Sequence, residues 1–310
     1  MLEIWKICQD TYFETFRVNL RMLSYGEAFY QLKNELQSLY DAQEAAAIAH
    51  ELLYSITGLD KMERLMQKDT LFSEEQQARF ESGKSDLLAG KPLQYVTGTA
   101  WFIGREFKVN DHVLIPRPET EELVGWIIND CKDKKDISIL DIGTGSGCIP
   151  ISLQLALPNA FITSCDISGE AIEVAKETAR KLGADVSFIK TDFLNQKMWY
   201  NFEQYDVIVS NPPYIPQNEY EQMHTNVRDH EPSLALFVPN DDALLFYRNI
   251  AEFGREHLKP NGIIYCELHK DYAKESEKMF NQKGYDTELR KDMHGNDRML
   301  KAELNHDLHD

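Results

Sequence analysis

Residues 139–147 read Ile-Leu-Asp-Ile-Gly-Thr-Gly-Ser-Gly, a short apolar run that ends in three closely spaced glycines. An apolar run of this length predicts a buried strand, and glycines let the chain turn sharply and lie against a ligand. A helix predicted over 147–157 would then offer the unpaired N–H groups of its first turn. The G-x-G-x-G spacing differs from the dinucleotide pattern G-x-G-x-x-G and lacks the lysine of a P-loop, which disfavours a nicotinamide dehydrogenase.

The chain that follows this loop alternates short apolar runs with helical stretches. The predicted strands lie at residues 137–142, 161–166, 186–190, 205–210, 262–268, 285–290 and 298–304. Strands that alternate with helices form a mostly parallel sheet covered on both faces, so the sequence predicts an α/β fold of seven strands. Ligands bind such a sheet at the carboxyl ends of its strands, where we therefore expect the site.

Upstream, the first 90 residues predict a small helical bundle. One stripe at helical spacing follows Asp41 and consists of Ala45, Ile48, Ala49, Leu52, Leu53 and Ile56. A second, shorter stripe consists of Leu59, Met62, Leu65 and Met66. A third helical segment opens at Ser73, with Gln76 three residues on. No catalytic constellation is visible in this part of the chain.

Aromatic and β-branched residues then surround Gly98 and Gly104, a pattern that predicts a β-hairpin. We therefore divide the chain into a helical recognition or packing domain at residues 1–90, a β-hairpin linker at 91–116 and a ligand-binding domain at 117–310. At the start of the third part, Pro118 is suited to the first turn of a helix.

Two further predicted strands end in a carboxylate. Asp166 lies at the end of the second strand, where an acidic side chain can accept both hydroxyl protons of a ribose. The alternative for Asp166 is a helix N-cap, but Ser168 fits that role better. Asp192 and Phe193 follow the third strand and are suited to bind and stack an adenine, although Asp192 taken alone equally fits a loop cap. Three such strand ends in series favour a nucleoside ligand.

The fourth predicted strand runs directly into Asn211-Pro212-Pro213-Tyr214. Two prolines stiffen the loop and remove two backbone donors, which leaves carbonyl groups to face a cleft. The Asn211 side-chain oxygen and the Pro212 carbonyl can accept both N–H bonds of a planar amide or amine, while Tyr214 stacks on it. Such a clamp orients a nitrogen towards an electrophile. The alternative is a rigid proline turn with a packing tyrosine.

The glycine loop, Asp166 and Asn-Pro-Pro-Tyr resemble the class I S-adenosylmethionine-dependent methyltransferases that modify a planar nitrogen. Further segments extend the likeness to the PrmC/HemK family: PLQYVTG (92–98), VLIPRPETEELV (113–124), VRDHEPSLAL (227–236) and GNDR (295–298). The resemblance implies a Rossmann-like methyltransferase domain and protein methylation that supports translation termination. In that family the methyl group passes to the N5 of the glutamine in the Gly-Gly-Gln motif of peptide-chain release factors.

The same resemblance implies a set of site residues and one cofactor, S-adenosylmethionine, with S-adenosylhomocysteine as product. The implied cofactor-binding residues are Gly143, Thr144, Gly145, Ser146, Gly147, Asp166, Asp192, Phe193 and Asn211. The implied substrate-binding residues are Asn211, Pro212, Pro213 and Tyr214, and the catalytic ones are Asn211, Pro212 and Tyr214. Arg117, Glu119 and Glu121 resemble a lip over the cofactor, but first-turn acids of a helix also explain this segment.

Charge and composition restrict the partners. The chain has 33 Lys and Arg against 51 Asp and Glu, a net charge of −18, which disfavours duplex DNA as a partner. Two alternatives stay open: an adenine N6 methyltransferase acting on nucleic acid, and a non-catalytic cofactor-binding docking protein. Scattered histidines and cysteines predict neither a metal site nor disulfides, and no apolar stretch predicts a signal peptide or membrane span. We expect a cytoplasmic monomer whose protein partner is a release factor.

Overall fold

Residues 21–223 and 225–305 are described by the computed structural model, so the first 20 residues of the predicted helical domain and the acidic tail from 306 lie outside it. The chain divides into two units, Met1–Thr97 and Gly98–Asp310. The described part of the first unit is built from helices. The second contains the predicted strands.

The helices of the first unit begin where side chains cap them. Their bounds are α1 Tyr25–Leu36, α2 Ala42–Thr57, α3 Lys61–Met66, α4 Glu74–Leu88 and α5 Leu93–Thr97. Asp41 accepts from the N–H groups of Gln43 and Glu44 at the start of α2. At α4, Ser73 and Gln76 each accept the other's backbone N–H, a complete capping box. The apolar stripe predicted for α2 is buried.

The short helix α3 carries the opposite pattern to the one predicted for it. The members of the predicted stripe that lie on this helix are 60–79% exposed: Met62, Leu65 and Met66. Arg64 is buried instead, and it donates to the carbonyl oxygens of Leu59 and His50. Because these backbone acceptors satisfy the buried guanidinium, the helix turns its charged residue inward, and the prediction of this stripe was wrong.

A β-hairpin lies at the start of the second unit. β1 (Thr99–Phe102) pairs antiparallel with β2 (Arg105–Lys108). The turn residues Ile103 and Gly104 have φ angles of 46° and 67°, the backbone geometry that joins two twisted strands through a two-residue loop. Because Leu93–Thr97 is helix α5, the hairpin is shorter than the predicted linker.

A central sheet confirms the predicted α/β fold of the second unit. The strands that follow the hairpin are β3 Ser138–Ile142, β4 Phe161–Asp166, β5 Val186–Lys190, β6 Tyr205–Ser210, β7 Ile215–Pro216, β8 Phe237–Val238, β9 Leu258–Glu267, β10 Tyr285–Lys291 and β11 Asp297–Leu304. β7 and β8 form a separate short pair, and the other seven form one sheet in the order β10-β11-β9-β6-β3-β4-β5. β11 runs antiparallel to its neighbours, while β3, β4, β5, β6 and β9 pair in parallel.

Helices cover both faces of this sheet. Successive strand residues point to opposite faces, and apolar side chains on each face pack against helices. The helices of the second unit are α6 Pro118–Cys131, α7 Cys148–Ala156, α8 Gly169–Leu182, α9 Thr225–Arg228, α10 Ser233–Leu236, α11 Leu245–His257 and α12 Ala273–Gln282. Ile139 of β3 belongs to a buried cluster with Leu123 of α6. The next residue, Leu140, belongs to a cluster on the other face with Phe253 of α11.

The strand order reverses between β3 and β6. From β3 the chain proceeds to β4 and β5 on one side, whereas from β6 it proceeds to β9 on the other. The loops that leave two such strands diverge and open a crevice at the carboxyl edge of the sheet. The glycine loop leaves β3 and Asn-Pro-Pro-Tyr leaves β6, so the topology brings both predicted motifs to this crevice.

Candidate methyl-transfer site

A cavity of about 370 Å³ lies in the crevice, within the usual range for a small-molecule site. The predicted site residues that line it are Gly143, Thr144, Gly145, Ser146, Asp166, Asp192, Phe193, Asn211, Pro212 and Pro213. Segments 111–117 and 232–235 supply further walls. Gly147 and Tyr214 do not line the cavity. The site predicted from three strand ends and one proline loop is therefore a single space.

Asp166 joins the glycine loop to the end of β4. Its Oδ2 accepts from the N–H of Gly145 and its Oδ1 from the N–H of Ser168, both at 2.9 Å. The helix-capping role falls to Ser168, whose hydroxyl accepts from the N–H of Ala171 at 3.1 Å. Burial raises the pKa of Asp166, and the two N–H groups lower it. Each carboxylate oxygen keeps a lone pair for a ligand hydroxyl.

Two glycines of the loop have different neighbours. Both have positive φ angles, 91° at Gly143 and 80° at Gly147. A Cβ on Gly143 would lie 3.9 Å from the carbonyl oxygen of Asn211, so the two motifs are adjacent there. A Cβ on Gly147 would lie 2.9 Å from Ala175 Cβ and 2.8 Å from Ile151 Cδ1. Gly147 thus permits close packing of α7 against α8 and does not face the cavity.

The third strand end places Asp192 and Phe193 beside the cavity. Asp192 accepts from the N–H of Leu194 at 3.0 Å, which is the loop-cap geometry weighed as its alternative. The Phe193 ring stacks on Trp199, with ring centroids 5.7 Å apart, and meets Phe253 edge-on. Phe193 is 6% exposed, so its ring belongs mainly to the core.

Asn211 and Tyr214 are held by a hydrogen-bond chain that meets at one carboxylate. The side-chain Nδ2 of Asn211 donates to Thr120 Oγ1 at 3.1 Å. Thr120 in turn donates to Glu267 Oε2 at 2.6 Å, and the Tyr214 hydroxyl donates to Glu267 Oε1 at 3.2 Å. Burial raises the pKa of Tyr214, which keeps its phenol a donor. The Asn211 Oδ1 remains as the acceptor for a ligand.

The segment IPRPETE contributes more than its predicted helix start. Arg117 forms an ion pair with Glu231, whose side chain is 1% exposed. Burial raises the pKa of Glu231, and the adjacent guanidinium lowers it. Glu121 accepts from the N–H of Ile103 at 2.7 Å and so holds the tip of the hairpin. The ion pair of Arg117 with Glu231 connects segment 111–117 to the residue that precedes segment 232–235, and both segments supply walls of the cavity.

Thr120 and Glu267 were missed by the sequence predictions. Thr120 lies between Glu119 and Glu121, the two charged residues that the sequence singled out. The hydroxyl of Thr120, however, makes the contact with Asn211. Glu267 ends β9, so the rule that strand ends carry site residues could have identified it. Among the described residues, no group of three or more His, Cys, Asp and Glu side chains is arranged to hold a metal ion. No helix in the described part has the length and apolar character needed to cross a bilayer.

The sheet order, the glycine loop after the first strand of the sheet and the Asn-Pro-Pro-Tyr loop after the fourth define a class I methyltransferase domain. Consistent with this, a family model described as a methyltransferase domain matches residues 133–307, and one described as the PrmC N-terminal domain matches residues 27–98. The chain belongs to the family of release factor glutamine methyltransferases, as comparison with curated relatives shows.

Two of these relatives are similar over nearly their full length. The release factor glutamine methyltransferase of Bacteroides thetaiotaomicron is 42% identical over 272 residues, which are 87% of this chain and 97% of the relative. The corresponding protein of Flavobacterium psychrophilum is 39% identical over 276 residues, 88% of this chain and 96% of the relative. A solved structure of a protein-(glutamine-N5) methyltransferase from Alicyclobacillus acidocaldarius is 27% identical and covers 64% of this chain and 99% of its own, with a TM-score of 0.41.

Proposed function

We propose that this protein transfers a methyl group from S-adenosylmethionine to the side-chain amide nitrogen of the Gly-Gly-Gln glutamine in peptide-chain release factors. The observation that carries the proposal is the shared cavity, in which the glycine loop and Asn211-Pro212-Pro213 line one space. A cofactor site alone would suit a binding protein. The adjoining acceptor loop adds a place for a nitrogen that bears N–H groups, and so favours an enzyme over a docking protein.

The residues of the cavity fit S-adenosylmethionine. In a complex with this cofactor, the oxygens of Asp166 would accept from the ribose hydroxyls, the loop 143–146 would lie along the methionine part, and Asp192 and Phe193 would lie beside the adenine. Thr191 lines the same cavity, and its buried hydroxyl has no hydrogen-bond partner among the residues that the structure describes. A polar ligand would satisfy that group. When bound, the cofactor supplies the electrophilic methyl group.

The loop after β6 orients the substrate nitrogen. Asn211 Oδ1 and the Pro212 carbonyl accept the two N–H bonds of the glutamine amide, and neither Pro212 nor Pro213 has a backbone N–H to compete. An amide nitrogen is a poor nucleophile because its lone pair is delocalised into the carbonyl. Acceptors on both protons shift electron density towards the nitrogen and hold it in a near-attack geometry. The proton leaves after transfer, so no base of tuned pKa is required beforehand.

The two units have separate roles in this proposal. The helical unit docks the release factor, and the unit from Gly98 onwards performs the transfer. A translation factor as substrate places the reaction in the cytoplasm. The rival substrate is adenine, whose N6 amine also presents two N–H bonds once the base is flipped out. The net charge of −18 opposes approach of a phosphate backbone.

A two-substrate labelling experiment tests the proposal. The protein is incubated with methyl-labelled S-adenosylmethionine and either a release factor or adenine-containing DNA. We expect label on the release factor, confined to the peptide that carries Gly-Gly-Gln, and none when that glutamine is replaced. Label on DNA with none on the release factor would establish the rival function instead. Binding of cofactor without transfer to either substrate would favour the docking protein.

A further inference from the structure

We infer that Glu267, acting through Thr120, fixes which way the side-chain amide of Asn211 points, and that both are positioning residues for methyl transfer. The inference rests on the proposed function, because it assigns these residues a part in orienting the substrate nitrogen. Three hydrogen bonds carry it, from Asn211 to Thr120 and from Thr120 and Tyr214 to Glu267.

The direction of the chain follows from its carboxylate end. The Thr120 hydroxyl has a single proton and donates it to Glu267 Oε2, 2.6 Å away. The Thr120 oxygen can then only accept from Asn211. Asn211 must therefore turn its NH₂ group to Thr120, which leaves Oδ1 for the substrate. A flipped amide would set two acceptor oxygens against each other and lose the bond.

The same carboxylate holds the far end of the loop. Tyr214 donates to the second oxygen of Glu267, so the first and last residues of Asn-Pro-Pro-Tyr are both tied to one buried group. Glu267 is 2% exposed and does not line the cavity, so it presents no surface to a substrate there. Its action on the reaction therefore passes through the residues that it holds.

Arg298 gives the buried carboxylate a compensating charge. Burial raises the pKa of Glu267 above its usual value, and Thr120 and the positive charge of Arg298 only partly oppose that rise. Arg298 is itself fixed by donating to the carbonyl oxygen of Leu268 at 3.2 Å, and its Nε lies 3.5 Å from Asp292 Oδ2. It ends the segment 295–298, GNDR, whose role the sequence left open. The charge of Arg298 therefore favours the carboxylate form of Glu267, to which Thr120 donates.

Substitutions at Thr120 test the inference in steady-state assays with a release factor. Thr120→Val keeps the shape but removes the hydroxyl, and we expect kcat to fall on the order of 10- to 100-fold with KM for the release factor within about threefold. Thr120→Ser restores the hydroxyl, so its kcat should stay within about fivefold of the wild type. Thr178→Val is the matched control, because Thr178 is equally buried and hydrogen-bonded but does not line the cavity. It should lower the unfolding temperature and leave kcat unchanged.

A double-mutant cycle shows whether Thr120 acts through Asn211. If it does, adding Thr120→Val to Asn211→Ala lowers kcat no further. If the wild-type enzyme is active, two results overturn the inference. One is a wild-type kcat for Thr120→Val, and the other is a double mutant whose kcat falls below that of Asn211→Ala by the full factor seen for Thr120→Val alone.

An NMR measurement needs no substrate and keeps the inference separate from the proposed function. In protein labelled with ¹⁵N-asparagine, the side-chain N–H signals of Asn211 are identified by their absence from Asn211→Ala. We expect slow proton exchange in the wild type, and shifted, fast-exchanging signals in Thr120→Val but not in Thr178→Val. Unchanged signals in Thr120→Val refute the inference. If Thr120→Val shows the expected shifts but the wild-type protein methylates no release factor, the proposed function is refuted and the inference stands.

Discussion

Replacing Gly147 with alanine should damage the fold, although the residue belongs to a glycine loop that lines a ligand cavity. Its φ of 80° is left-handed, and an alanine there costs about 1–2 kcal/mol. The new Cβ would lie 2.8 Å from Ile151 Cδ1 and 2.9 Å from Ala175 Cβ, closer than carbon atoms pack. Overpacking of this kind adds about 1–3 kcal/mol. We therefore expect Gly147→Ala to lower the free energy of unfolding by about 2–5 kcal/mol.

Gly145→Ala is the matched comparison within the same loop. Gly145 has a φ of 52°, so the backbone cost is similar, but nothing lies within 4 Å of a Cβ built on it. Because Gly145 lines the cavity, the added methyl group takes space that a ligand would use. We expect a loss of only about 1–2 kcal/mol in stability. Affinity for S-adenosylmethionine should fall by about fivefold to a hundredfold.

Thermal unfolding without ligand and calorimetric titration with S-adenosylmethionine separate the two variants. For a unit of this size, each kcal/mol shifts the unfolding temperature by about 2–4 °C, so Gly147→Ala should melt about 2–12 °C below Gly145→Ala. Gly145→Ala should bind the cofactor more weakly than Gly147→Ala at a temperature where both are folded. The reverse order in both measurements would refute the packing role assigned to Gly147.

Three further predictions concern the site and its supports. Asn211→Ala should lower the rate of methyl transfer by a factor on the order of 10² or more, while its affinity for S-adenosylmethionine stays within about tenfold of the wild type. Turnover at the wild-type rate would remove Asn211 from the mechanism. Burial raises the pKa of Asp141 to about 8, so the native state binds this proton more tightly than the unfolded chain, and ligand-free stability falls as pH rises towards 8. Between pH 5 and 8.5 the unfolding temperature of Asp141→Asn should fall less steeply than that of the wild type. An equal slope contradicts the raised pKa of Asp141. Arg117→Met leaves the buried Glu231 unpaired and should cost about 1–3 kcal/mol, less than a fully buried pair because Arg117 is partly exposed. Arg117→Met should lower the unfolding temperature more at pH 8 than at pH 5, because protonated Glu231 needs no charged partner. An equal loss at both pH values contradicts this role of the ion pair.

The fold could be predicted from the sequence because the parallel strands of its sheet contain short apolar runs, such as Val207-Ile208-Val209. A strand such as Tyr205–Ser210 is buried on both sides, so its composition identifies it without its neighbours. The pattern of α3 was misread because a buried arginine cannot be recognised from spacing. Arg64 is inward only because the carbonyl oxygens of His50 and Leu59 lie within its reach, and residue 50 is distant in sequence.

Some of the cavity residues could be predicted because the carboxyl ends of parallel strands meet at one edge of the sheet. Asp166 and Asn211 follow strands and reach the same cavity for that reason. The supporting contacts could not be predicted, because they join residues 147 apart, as Thr120 and Glu267 are. Gly147 shows the limit within one motif, since the spacing treats its three glycines alike and only the packing of α7 against α8 distinguishes the third.

The polarity of the Asn-Pro-Pro-Tyr loop limits what the cavity itself can select. With the NH₂ group of Asn211 turned to Thr120, Asn211 Oδ1 and the Pro212 carbonyl remain as acceptors, so the loop favours a planar nitrogen that carries two protons. A glutamine amide and an adenine amine both satisfy that requirement. Discrimination between them must therefore come from features outside the loop. The 51 acidic residues against 33 basic ones repel a phosphate backbone at any distance that salt does not screen, whereas a protein loop pays no such penalty. Raised ionic strength screens charges and should consequently reduce this repulsion of DNA.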